Sequence, residues 1–138
     1  PFYFTPTSGY TPSVPIEPEI SKETGHLKVS LIQVGHVLIH CPPDPNGLWI
    51  HAVVADALNQ HDANLLRNGY SSGAYNSRGV HWVDPAGKPE LKLAEQYHQK
   101  AEAVENAGFQ RFAVTLRDLA KGYERESKWV RREHEADE

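Results

Sequence analysis

The chain has one cysteine, Cys41, in 138 residues, so no internal disulfide can hold it together and a reducing compartment fits it best. No apolar run approaches the ~18 residues that a membrane-spanning helix requires. The opening Pro-Phe-Tyr-Phe-Thr-Pro also has neither the charged nor the apolar region of a secretory signal. A cytoplasmic protein without membrane association is therefore expected. Positive charge is not in surplus: 14 Lys and Arg stand against 18 Asp and Glu, a net charge of -4, which makes nucleic acid an unfavoured partner. Signature motifs are missing as well. There is no Gly-x-Ser-x-Gly elbow, no Gly-x-x-x-x-Gly-Lys-Ser/Thr phosphate loop and no internal repeat. A Ser-His-acid triad can be drawn from Ser30, Ser71, Ser72 or Ser77 with any histidine, and that freedom deprives it of meaning. The sequence leaves open whether the protein is an enzyme.

What is present reads as a single soluble domain. The 39% hydrophobic and 23% charged fractions are ordinary for one. At this length folding hides roughly two-thirds of the surface of the unfolded chain, so a core forms without metal or disulfide.

The strongest pattern runs over 89–132. Leu91, Ala94, Tyr97, Ala101 and Val104, then Phe109, Phe112, Leu116, Leu119 and Tyr123, recur at gaps of three or four and place each set on one helical face. The spacing predicts two helices folded back at Gly108. With its small turn and spaced alanines this stretch resembles one helix pair of a tetratricopeptide-type repeat, although a single copy makes no solenoid.

Residues 1–25 carry five of the ten prolines (Pro1, Pro6, Pro12, Pro15 and Pro18) and predict an extended, proline-rich arm without helix. The aromatics Phe2, Tyr3, Phe4 and Tyr10 predict that this arm is ordered against the body or a second copy. An N-terminal proline such as Pro1 resembles the catalytic amine of the tautomerase superfamily. The resemblance ends there, because Pro6, Gly9, Pro12 and Pro15 break the amphipathic helix that family places next.

Residues 26–41 are rich in β-branched and aliphatic side chains and stop at Pro42-Pro43. They predict two antiparallel strands with a bulge or turn at Gly35, Cys41 being a small core residue. Helices are expected over 48–68, with Ile50, Val53, Val54, Ala57 and Leu58 inward, Asp62 as a cap and Gly69 as the stop. A loop over 69–88 follows, with a short strand at Val80–Val83. The expected fold is thus α+β and mostly helical: a small antiparallel sheet packed against a C-terminal antiparallel helical hairpin, in one domain over 26–138 behind the arm.

Two places can carry chemistry. Six of the eight histidines lie between 26 and 81, and His36, His40 and His51 have a spacing that permits three nitrogen ligands for a divalent metal such as zinc. No cofactor is otherwise expected. The 71–82 loop gathers Tyr75, Asn76, Ser77, Arg78, His81 and Trp82, and Arg78 between Ser77 and Gly79 suits a phosphate or carboxylate ligand. Charge also sorts at the C-terminal end. Lys121, Arg125, Lys128, Arg131 and Arg132 outnumber Glu124 and Glu126, and Glu133, Glu135, Asp137 and Glu138 follow.

The leading functional reading is a small accessory or interaction domain that binds a protein partner or forms a homo-oligomer. The first alternative is a small enzyme, with or without a metal, at His36, His40, His51 and the 71–82 loop. The second is a nucleic-acid-binding module that uses Arg125 to Arg132.

Overall fold

The computed structural model describes residues 17–79 and 82–136, with side chains from residue 25 onward. Among these residues there are five helices and no strand: α1 Glu17–Leu38, α2 Ala52–Asn59, α3 Asn64–Asn76, α4 Lys88–Asn106 and α5 Gln110–Ala136.

The antiparallel sheet expected over 26–41 does not exist, because residues 26–38 are the second half of α1. The run satisfies two periods at once. Leu27, Val29 and Leu31 alternate as a strand would, but Leu27, Leu31, Val34 and Leu38 also recur at gaps of four, three and four. The helical stripe prevails because Val34 and Leu38 pack on the core, and such packing overrides weak β-propensity. Gly35, read as a bulge, is instead the contact point of two helices. A Cβ there would overlap the Leu66 carbonyl oxygen and lie 2.8 Å from the Tyr70 nitrogen. A Cβ on Gly69 would collide with the Ile32 backbone in the same way. These two glycines let the α1 and α3 backbones touch.

Part of the stretch expected as an extended proline-rich arm is helical instead. Residues 17–25 lie in α1, whose first turn accommodates Pro18, since a missing N–H costs nothing there. The expected ordering of Phe2, Tyr3, Phe4 and Tyr10 lies outside the described residues. Gly69 does not stop a helix either, because α3 runs through it to Asn76, and the expected 69–88 loop shrinks accordingly. α3 has no side-chain cap from Asp62. The second helix begins at Ala52; Ile50 and Leu58 are buried as expected, Val54 and Ala57 pack half-buried against the core, and Val53 alone of that set is exposed. Trp82 and Val83 form no strand, and Val80 and His81 lie outside the described residues.

α4 and α5 form an antiparallel pair, since Glu105 meets Arg117 near the turn, His98 meets Glu124 further on and Gly87 meets Ser127 at the far end. The turn uses Gly108 at φ 99°, a backbone conformation open to glycine at little cost. α4 contributes Ala94, Ala101 and Val104 to the core, and α5 contributes Phe112, Ala113, Leu116, Leu119 and Tyr123. Leu91 is an exception to the expected face, being 43% exposed. Each fully buried Phe or Leu stabilises the fold by about 1.5–3 kcal/mol.

The remaining helices are fastened by their ends. Asn59, the last residue of α2, accepts hydrogen bonds from the Arg111 and Phe112 N–H groups, 2.8 and 3.2 Å, and so caps α5 from another element. Arg67 of α3 donates to the Leu58 and Gln60 carbonyls at 2.9 and 2.6 Å, closing the α2 C-terminus. α2 itself starts under a double cap: Asp44 accepts from the Ala52 N–H, and His51 Nδ1 accepts from that of Val53. The two Asp44 backbone hydrogen bonds, from Ala52 and Asn46, hold its carboxyl below the usual carboxylate range. In lateral order the helices run α1, α3, α5, α4, with α2 against α3 and α5.

Candidate functional site

The expected ligand residues come from the end of α3 and the turn behind it. Tyr75 and Asn76 close the helix, and Ser77 caps it with its hydroxyl donating to the Ala74 carbonyl at 2.7 Å. Arg78 then turns inward. Its Nη2 donates to Glu90 Oε1 of α4 at 2.8 Å, and its Nη1 lies 3.5 Å from Glu126 Oε1 of α5. The Tyr75 hydroxyl donates to the other Glu126 oxygen at 3.2 Å. Tyr75, Asn76, Arg78, Gly79 and Glu126 line a cleft of about 280 Å³. A neighbouring groove of about 340 Å³ between α3 and α5 shares Tyr75 and Asn76 and adds Ser71, Ser72, Asp118, Leu119 and Gly122.

Three of the six expected residues therefore meet around one cleft. Ser77 serves the helix end, Trp82 stands 96% exposed on the following segment, and His81 lies outside the described residues. Sequence reasoning missed Glu90 and Glu126. A glutamate in the first turn of a helix reads as an ordinary macrodipole partner, and nothing in the order of residues tells that Glu90 is only 1% exposed.

The geometry around Arg78 is that of a clamp. One guanidinium ties the turn after α3 to α4 and α5, and Glu90 lies buried beneath it. Removing either partner strands a charge, which is why buried pairs are costly to break. Behind the clamp Tyr75 stacks on Tyr123 at 5.7 Å and Tyr123 on Tyr97 at 5.8 Å. The Lys100 ammonium sits 5.0 Å from the Tyr97 ring and 4.9 Å from that of Trp49, whose indole N–H donates to the Lys100 carbonyl at 3.1 Å. Burial pushes the Lys100 amine below its ordinary range. Burial also raises the Tyr97 phenol, and with the help of neighbouring Tyr97 it pushes Tyr123 up to about 12. This column of rings ties α3, α4 and α5 together.

The candidate metal ligands go separate ways. His36 packs with its backbone against Gly73, His40 is exposed beyond the end of α1, and His51 spends its Nδ1 on the α2 cap. Among the described residues no three His, Cys, Asp or Glu side chains form a group that could hold a metal. Cys41, also partly buried, directs its Sγ to the Pro42 carbonyl at 3.2 Å.

No protein-family model, curated protein or solved structure matches the chain. Among the described residues no helix is long and apolar enough to cross a membrane. The functional reading therefore rests on surfaces, and the first of them is α1. Gly25, His26, Leu27, Lys28, Val29 and Ser30 are all helical and all exposed, with Leu27 at 52% and Val29 at 59%.

Proposed function

We propose that the chain is a small interaction domain that self-associates through the part of α1 that extends beyond α3. The observation that carries this reading is the length of α1 beyond its neighbour. Ile32 lies against Gly69 and His36 against Gly73, so α1 and α3 run in the same direction where they touch. α3 begins five residues before Gly69, so α1 has no part of α3 beside it before about residue 27. Gly25, Val29 and Ser30 are indifferent or poor helix formers, and a lone helical overhang of such residues is marginal in water. Support from a partner removes that difficulty.

A second copy is the partner that α1 itself favours. The stripe of Leu27, Leu31, Val34 and Leu38 has heptad spacing; its C-terminal half is taken by the core, and its N-terminal half continues in the same register. Two such stripes related by a twofold axis are self-complementary. The single cysteine fits such a domain working in a reducing compartment such as the cytoplasm.

Light scattering on wild type and on Leu27→Glu/Val29→Glu tests the reading. Both side chains are exposed, so the variant is expected to stay folded while a wild-type dimer becomes a monomer. A wild type that is already monomeric at high micromolar concentration, or a double variant that stays dimeric, overturns it.

A further inference from the structure

α5 has sorted its charges by direction. Toward its flanks, Glu124 pairs with His98, Glu126 with Arg78 and Tyr75, and Arg117 with Glu105. Toward solvent runs another row: Arg111, Val114, Asp118, Lys121, Arg125, Lys128 and Arg132, at gaps alternating three and four, all exposed. Five cations and one acid occupy this ridge, on a chain whose net charge is -4. Trp129 stands beside Arg125, Lys128 and Arg132 with 61% of its surface exposed. None of these five cations has an ion-pair partner among the described residues. The ridge extends about 32 Å at 1.5 Å per residue.

We propose that this outward ridge of α5 is a second docking surface, separate from α1, for an acidic helical segment of another protein. The heptad spacing matches what a facing helix presents when its carboxylates recur every three and four residues, so each cation meets an acid in one register. Arg and Trp are the residues that most often dominate the energy of protein interfaces. A nucleic acid fits less well. Asp118 interrupts the row, Glu133 and Glu135 follow directly after it, and the chain as a whole repels a polyphosphate. Rim charges of this kind chiefly steer encounter and fix register.

The test uses the full chain and fluorescence anisotropy with three labelled probes: a peptide of about 21 residues with Glu at heptad a and d positions in an Ala/Gln background, the same composition scrambled off one face, and single-stranded DNA of equal charge. The heptad peptide is expected to bind more tightly than the other two. Arg125→Glu/Lys128→Glu is expected to weaken it by about tenfold or more, and Trp129→Ala to weaken it as well. Lys88→Glu/Lys92→Glu changes the total charge by the same amount on exposed positions of α4 and is expected to leave binding within about twofold. Should the reversal on α5 impair folding, Lys121→Gln/Arg125→Gln set against Lys88→Gln/Lys92→Gln gives the same comparison. Equal loss in both pairs shows total charge at work and overturns the ridge. Equal binding of the scrambled peptide overturns the register. Tighter binding of DNA assigns the ridge to another partner class and overturns the proposal, and absence of all binding removes it. The oligomeric state plays no part in these outcomes, so the α1 reading stands or falls separately.

Discussion

Single residues show where this fold tolerates least change. Leu116 has no exposed surface, and Leu116→Ala is expected to destabilise by roughly 2–5 kcal/mol, the range for a leucine cavity in a closed core; chemical denaturation checks it. Gly69→Ala is expected to lower the melting temperature through overlap with the Ile32 backbone, whereas Gly25→Ala, with nothing within 4 Å of its Cβ, is expected to raise it slightly. A buried pair behaves differently again. Arg78→Met leaves Glu90 without its cation at 1% exposure and is expected to cost roughly 3–5 kcal/mol, with a substantial part recovered when Glu90→Met is added. A double variant no better than the single would contradict the clamp. The sequence made Tyr75, Asn76 and Arg78 legible as a group because they crowd one short stretch. Glu90 and Glu126 come from helices far along the chain, and only the tertiary structure brings them to Arg78.

Elements were legible where one period fitted and misleading where two did. In α4 and α5 the apolar positions fit a helix alone, so their outline could be read from spacing. The β-branched run 26–41, most of it in α1, fitted a strand and a helix equally; core packing of Val34 and Leu38 favours the helix, and the bare backbones of Gly35 and Gly69 let it lie close against α3. The same lesson applies to Gly69 as a supposed helix stop, since a glycine required for close packing looks identical in sequence to one required for a turn. The elements around the tyrosine column carry a prediction about pH. Tyr123 titrates near 12 against an ordinary 10.0, and the phenols of Tyr70 and Tyr97 are raised by burial too. A phenol whose pKa is raised on folding contributes stability that is fully present below pH about 10 and is lost as pH climbs through about 12. Melting temperatures measured across that window should fall together with the appearance of tyrosinate absorbance, and Tyr123→Phe should flatten the fall. A flat profile in the wild type would contradict burial of these rings.

At the scale of the molecule, a helical body built on α3, α4 and α5 carries α1 as a helix that extends beyond α3. Under the proposed self-association, the exposed Leu27 and Val29 and the free register of the stripe form the surface that a second chain would complete. Hydrogen–deuterium exchange of the amides at 25–31, followed from about 1 μM to about 100 μM protein, tests that claim most directly, because a helix stabilised by association gains protection by mass action. Protection that rises with concentration at 25–31 and stays constant in α4 and α5 is the predicted result. Exchange at 25–31 that is the same at both ends of the range would contradict the account.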